Sequence, residues 1–571
     1  MADNKILTRA EVPEPYTWNL KDIFESDEAC LQALEELKGY PEKIEAFRGK
    51  LGESKETLLA FYQLSDELEV KLSKMSGYTS MKSDEDTANA VYLDLKGKAM
   101  TVFVQIMSSA AFSDSEIMAI PEETLQDWFA ACPELTTYKR PIEKIRKQAE
   151  HILPPAEEAL LASVRELSEA SENIAGMLRN ADMKWGDVTD SEGNVYPLTN
   201  GSFVPLQESS DRAFREQVFK AFYENYKGLR NTIAATLDGQ FKSLLFFSKA
   251  RHYTSTLEAA LSSTEVPESV YLNLIEAVHQ NLDKMYRYVR LRKKLLGVDE
   301  LHMYDVYTPI VSDFEMKISF EEAKKTVLEA LKVLGSDYTD LLKEGFENRW
   351  IDVYENVGKR GGAYSSGSSR PHPYVLLNHK DNLDSVFTLA HEMGHALHSW
   401  HSTKHQPIAT ADYVIFVAEV ASTVNEVLLN HYLLDHATDK TERAYIINHF
   451  LEGFKGTVYR QTMFAEFELM MGHMAENAET LTADALFEKY LALNKLYFGP
   501  DMVSDEEIGY EWARIPHFFY NYYVFQYATG YSAAVAIANR ILKEGETAVQ
   551  DYKKFLSSGS TMDPISLLKI A

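Results

Sequence analysis

Along most of this chain apolar residues recur at steps of three and four, the spacing that gives one face of an α-helix. The pattern predicts helices over Asp27–Leu37, Ser54–Ser76, Asp84–Ser109, Pro121–Cys132, Tyr138–His151 and Pro154–Met177. It lapses from Lys184 to Gln207. There Trp185–Thr189 and Asn194–Leu198 flank the turn Asp190-Ser191-Glu192-Gly193, which predicts a β-hairpin. Ser209, Ser210 and Asp211 then open a long helix through Phe214, Val218, Phe222 and Tyr226. We expect the chain to divide near residue 200. Residues 1–200 would form an N-terminal helical region with the hairpin at 184–207, and 201–571 a second, larger domain.

A second lapse runs from Trp350 to His379, punctuated by Gly358, Gly361, Gly362 and Gly367. Pro373–Asn378 reads as a strand. A phosphate loop needs a helix to follow its glycines, and here a strand follows. A small sheet is therefore expected, with Gly361 and Gly362 near an edge that offers pairing to an extended peptide. A plain structural hairpin explains the same pattern.

With 571 residues the chain has room for more than one core. No apolar run is long enough to span a membrane. Met1 to Trp18 carries Asp3, Glu11 and Glu14 and no apolar leader segment. The two cysteines, Cys30 and Cys132, indicate no disulfide framework, so a reducing, cytoplasmic setting is expected. A net charge of −28 argues against nucleic acid as a partner. Acids lining a cleft would favour basic substrates, but total charge does not locate them.

The chemistry concentrates in His391-Glu392-Met393-Gly394-His395. Two histidines four apart on a helix leave the same face, one turn apart, and a tetrahedral zinc accepts a nitrogen from each. Glu392 is then in reach of a water on the metal, as a general base requires. Val386, Leu389, Ala390, Met393, Ala396, Leu397 and Trp400 make the segment a helix with a buried face, and Asp384 is its expected cap. A buried face bearing these polar groups needs polar partners, which a metal supplies.

A catalytic zinc takes three protein ligands and keeps one position open. His401 has the spacing of the class in which a glycine turns the chain back, but His398 occupies that glycine's place, so the helix continues and carries His401 away. His398 lies one turn beyond His395, placed to support the site rather than to share the metal. Pro407 ends this helix, and a second begins near Tyr413. Antiparallel packing brings Glu419 beside the histidines. Glu426, two turns on, would accept a ring N–H from one of them. Spacing alone leaves both acids open as third ligand.

H-E-M-G-H-A-L-H-S, followed by F-V-A-E-V-A-S-T and by the run Ile515–Gly530, resembles the oligoendopeptidase F branch of the thimet-oligopeptidase-like zinc metallopeptidases. The resemblance runs from the N-terminal helices to the tail. It implies His391, His395 and Glu419 as ligands of one zinc ion per chain, with Glu392 as the base. It also implies a mainly α, bilobed helical metallopeptidase whose deep channel admits short oligopeptides, with a small β-sheet beside the metal helix. Residues 201–571 would be the catalytic domain.

From Pro516 onward a continuous helix would set His517, Tyr520, Tyr523, Tyr527 and Tyr531 on one face, with Tyr522 opposite. An aromatic stripe is ordinarily core, but four phenols and an imidazole make a polar one. His517, Tyr520 and Tyr527 are expected to hold the substrate carbonyl and its developing charge, with Tyr523 as a further candidate. A non-catalytic peptide-binding protein with a structural zinc is the rival reading, and it lacks an evident fourth ligand.

Overall fold

The computed structural model describes residues 6–311, 316–366 and 371–571. Gly367 lies outside the described residues. Helices dominate and the strands are few and short, so the fold is mainly α. Contacts gather the chain into two compact units. The first takes Met1–Ala149, Glu315–His436 and Ala533–Ala571, and the second takes Glu150–Phe314 and Ala437–Ser532. The division expected near residue 200 falls inside the second unit. A hairpin marks a break in local structure, whereas compactness is set by packing partners distant in sequence.

In the first unit the helix Asp27–Leu37 has the predicted bounds, and Ser26 caps it by accepting the N–H of Ala29. The next helix runs Lys55–Glu85, well past Ser76. In the fold Tyr78, Thr79 and Met81 are buried, and the Thr79 hydroxyl donates to the Met75 carbonyl, so packing carries the helix through. The helix that follows, Ala90–Ala110, starts later than predicted, on an Asn89 cap. Leu34, Leu58, Phe61, Leu72, Ile106 and Leu125 belong to one buried cluster, which Tyr374 and Leu376 join from a small sheet.

That sheet has Tyr374–Leu376 at its centre, parallel to Ile351–Asp352 and antiparallel to the edge strand Tyr364–Ser366. Gly361 and Gly362 lead into the edge strand. Gly362 takes a left-handed φ of 82°, and the Asn378 side chain donates to its carbonyl and to that of Arg360. The chain leaves the central strand almost directly into the helix Leu383–His405, so the sheet stands beside the residues of interest.

In the second unit the expected hairpin is present, Asp187–Thr189 pairing antiparallel with Val195–Pro197. The Asp190 carboxylate accepts the N–H groups of Glu192 and Asn194 and closes the turn. The long helix Arg212–Ala250 starts on Asp211, whose side chain accepts the N–H of Phe214. Its Phe222 stacks on Phe203 at 3.8 Å and on Trp185 at 5.3 Å between ring centroids.

The continuous helix expected from Pro516 is not what forms. A 3-10 turn over Pro516–Phe519 ends at a break, and an α-helix begins at Phe525. Asn521 and Tyr522 both take left-handed backbone conformations, φ 51° and 60°. Side chains from elsewhere in this unit satisfy the freed backbone. Gln240 donates to the Phe519 carbonyl, and the buried Glu468 carboxyl accepts the N–H of Tyr522 at 3.0 Å. The Tyr522 ring drives inward to Thr256, its hydroxyl 2.9 Å from that of Thr256. A Cβ on Gly472 would stand 1.8 Å from the same phenol oxygen, so only glycine leaves it room.

Candidate metal centre

The helix Leu383–His405 starts on Asn382, whose side chain accepts the N–H of Ser385, not on the expected Asp384. Asp384 instead lies in the first turn, where a negative charge suits the helix N-terminus. The helix runs unbroken past His398, as the missing glycine predicts. Val386, Leu389, Ala390, Met393, Ala396 and Leu397 are all buried.

A second helix, Ile415–His436, lies against it. Ala390 pairs with Asn425, His391 with Glu426, Gly394 with Ser422, and His395 with Glu419, so the two run antiparallel. Gly394 sets how closely they approach. A Cβ there would stand 2.5 Å from the Ser422 Cα and 2.8 Å from the Ala421 carbonyl oxygen. Asn425 fixes the register, donating to the Ala390 carbonyl at 3.1 Å while accepting from the Tyr338 hydroxyl at 3.0 Å. Sequence reading passed over Gly394 and Asn425. The available signal was a glycine in mid-helix, which marks a close backbone approach.

Three ligand atoms converge between these helices. The Nε2 atoms of His391 and His395 are 3.2 Å apart. Glu419 Oε2 lies 3.3 Å from the first and 3.5 Å from the second. Metal–ligand bonds of ~2.0–2.1 Å in a tetrahedron place ligand atoms about 3.3 Å apart. The donor set and its spacing therefore fit a divalent cation with a fourth position open. Among the described residues this is the group of three that could hold a metal.

Glu426 takes a different place. Its Oε1 lies 2.8 Å from His391 Nδ1. That hydrogen bond fixes which ring nitrogen donates and turns the Nε2 lone pair toward the cluster. Burial pulls the His391 imidazole down, but Glu426 and Glu419 outweigh it and hold it well above its ordinary range. Burial likewise pushes Glu419 up, yet its bonds to His391 and His395 hold it well below the usual carboxylate range. The carboxylates that raise His391 also suit a cation at the centre. Glu392 is 7% exposed, and its Oε2 has no hydrogen-bond partner. Burial pushes its carboxyl up, against the pull of His391 and His395.

Two other histidines of this helix stand apart from the cluster. His398 stacks on Tyr413 at 3.8 Å and packs against Phe555. Burial, with His395 and His401 adding to it, pulls it down to about 3. His401 is buried beside Tyr338, and burial takes it to about 4.

In the second unit His517, Tyr520, Tyr523 and Tyr527 gather although the helix expected to align them is broken. His517 lies 5.5, 6.2 and 6.1 Å from the rings of Tyr520, Tyr523 and Tyr527. Tyr523 and Tyr527 are 5.4 Å apart. Tyr520 is 46% exposed, so the group has an open side. Tyr531 does not join it and packs on Phe454. Burial, with Arg179 second, lowers the His517 imidazole. Glu468, which holds the turn, was not anticipated: it lies on a separate helix, Arg460–Glu476, far off in sequence.

Comparison with known proteins is consistent across the chain. The family model described as peptidase family M3 matches residues 205–571, and one described as oligopeptidase F matches 116–185. The chain is 46% identical to oligopeptidase PepF of Bacillus subtilis, over 100% of this chain and 85% of that protein. It is 39% identical to the group B oligopeptidase PepB of Streptococcus agalactiae, over 100% of this chain and 94% of the other. Among solved structures, a peptidase from Chlamydophila abortus superposes with a TM-score of 0.90 at 34% identity, covering 99% and 95% of the two chains. Oligoendopeptidase-F from Enterococcus faecium gives 0.73 at 36%, covering 96% and 93%.

Proposed function

The chain belongs to peptidase family M3, in its oligopeptidase F branch, and from that premise we propose a one-zinc endopeptidase in which Glu392 is the general base. It is a metallopeptidase acting on oligopeptides, and the family implies a divalent metal. The observation that carries the finer reading is the convergence of His391 Nε2, His395 Nε2 and Glu419 Oε2 at 3.2–3.5 Å from one another. Two imidazoles and one carboxylate suit zinc best among the common divalent ions.

When bound, the cation supplies Lewis-acid chemistry, acidifying a water and polarising the scissile carbonyl. Glu392 takes the proton of the attacking water and returns it to the leaving amine. Its poorly solvated carboxylate favours proton capture, and its Oε2 is engaged by no other group of the chain. Glu426 holds the His391 ring in its ligating tautomer. His517, Tyr520 and Tyr527, with Tyr523 beside them, donate to the substrate carbonyl. Their gathering into one partly exposed cluster supports this role.

Short peptides, rather than folded proteins, are the proposed substrates, a reading supported by the names of the relatives. We keep 1–200 and 201–571 as the proposed functional division, supported by family matches that end at 185 and begin at 205. A cytoplasmic setting is proposed as well. Neither cysteine is paired, and no helix among the described residues is long and apolar enough to cross a membrane.

A quenched fluorescent peptide tests the proposal. Cleavage at an internal bond should stop with a chelator and return with added zinc. Cleavage indifferent to the chelator would reject the metal mechanism. Stoichiometric zinc without any cleavage would favour the non-catalytic rival.

A further inference from the structure

Among the described residues three arginines are buried, Arg179, Arg215 and Arg292. A charge taken out of water is costly unless an opposite charge meets it. Two of the three are so met. Arg215 pairs with Asp305 at 2.7 Å, and Arg292 with Glu452 at 3.0 Å. Arg179 is 8% exposed and makes no ion pair or hydrogen bond with any described residue, and its Nη1 is closed off without a partner. Glu172, two turns back on the preceding helix, acts on it only from a distance. Burial lowers the guanidinium, so its charge is held in place at a cost.

The backbone and the neighbours say what this charge faces. The helix Ala170–Met177 widens into a π-helical turn over Leu178–Asp182, a distortion found frequently at functional sites. From that turn the Arg179 guanidinium carbon reaches 5.3 Å from the ring centre of Phe519. Phe519 ends the 3-10 turn that carries His517, and Tyr520 follows it. Both His517 and Tyr520 are electrostatic neighbours of the guanidinium. The unpaired charge therefore borders the group proposed to take the substrate carbonyl, and Tyr520 leaves that group open to solvent. Tyr226, the other neighbour, already donates its hydroxyl to Asn200 at 2.6 Å. All these residues belong to the second unit.

The chemistry selects the ligand. A guanidinium presents its N–H donors as a planar fork that matches the two oxygens of a carboxylate. A backbone carbonyl would satisfy a donor but leave the charge unpaired. Burial and Arg179 lower the His517 imidazole, so His517 and Tyr520 add donors without adding a competing charge.

We infer that Arg179 binds a carboxylate of the oligopeptide substrate, either its free C-terminus or an acidic side chain. The inference rests on the reading of His517 and Tyr520 as substrate-binding residues and adds to it the charge that the peptide must carry. Neither the metal cluster nor the tyrosine group accounts for an unpaired buried cation.

Short peptides with fluorescein on the amino end test it. One pair differs only in a free carboxylate or an amide at the C-terminus. Further pairs, all amidated, carry glutamate or glutamine at one position at a time. Anisotropy with the zinc-loaded Glu392→Gln protein reads Kd without turnover, and the unsubstituted enzyme gives kcat/KM on the same set. In one pair the carboxylate form should bind about tenfold tighter, less so as salt rises, and the responding pair names the source. Arg179→Gln should bring that ratio close to one. Arg179→Lys keeps the charge but loses the fork, so its ratio should fall in between, and it decides the matter where Arg179→Gln does not fold. Equal Kd values within every pair, a preference that persists in both variants, or a parallel loss for both members of the pair overturns the inference. Absent hydrolysis would overturn the peptidase reading, while the order of Kd values still decides the carboxylate site.

Discussion

Two acids near the histidines, Glu392 and Glu426, have separate tasks, and single substitutions should separate them. Glu392→Gln keeps the shape and the ligand set but loses the proposed base. Turnover should fall by ~10²–10⁴-fold with metal content unchanged; near-normal turnover in a metal-loaded sample rejects Glu392 as base. Glu426 touches the site through His391 Nδ1 at 2.8 Å. Glu426→Ala should weaken metal affinity by ~10–100-fold without abolishing it, whereas Glu419→Ala should empty the site. Titration with a competing chelator distinguishes them, and the opposite order would exchange the two roles. The heptad separating Glu419 from Glu426 places both on one helix face, so their sequence positions fit either order. Only the distances assign one to Nε2 and the other to Nδ1.

Helix pairing and one broken helix set the next scale. His391, Glu392 and His395 were legible because a step of four on a helix fixes a face. Gly394 was not, because its purpose is a contact with a helix that begins 21 residues later. Gly394→Ala should push the 415–436 helix away, lowering stability by ~1–3 kcal/mol and weakening metal retention. A thermal melt with and without metal reads both, and unchanged values would mean the helices have slack. The Pro516–Glu544 stretch misled for a related reason. Its helical periodicity is genuine, but Glu468 and Gln240 offer the backbone other partners, and Asn521 and Tyr522 accept left-handed conformations. Burial pushes the Glu468 carboxyl up to about 8. It stays protonated in the fold across a range where the unfolded chain ionises it, from about pH 4.3 upward. Its stabilisation is therefore complete below that point and is lost as pH rises toward 8, by ~1.4 kcal/mol per unit. Glu468→Gln lacks this loss, so its melting temperature relative to the unsubstituted chain should climb from pH 5 to pH 8. A constant difference over that range would refute the protonated state.

For the whole molecule, metal binding and folding are linked, since an unfolded chain offers no preformed site. Removing the ion should lower the melting temperature, and free metal at a thousand times Kd should restore about 4 kcal/mol. No shift on chelation would imply that the cluster holds no ion in solution. At this scale the sequence said least. Its −28 charge argued against nucleic acid but gave no position for any acid; Asp66 and Glu69 of one helix meet Asp412, far off in sequence, only in the fold. The two units are each assembled from separated stretches, so a hairpin near residue 200 could mark a local break without marking where compactness ends. By itself the sequence determined what periodicity and turn chemistry encode: the helical class, the hairpin, and the two histidines with their neighbouring glutamate. Tertiary structure alone decided which acid faces which nitrogen, where the tyrosine segment bends, and which carboxyls share a cavity. Those depend on groups tens to hundreds of residues apart competing for the same hydrogen bonds and the same space, and no local window of the chain contains both competitors.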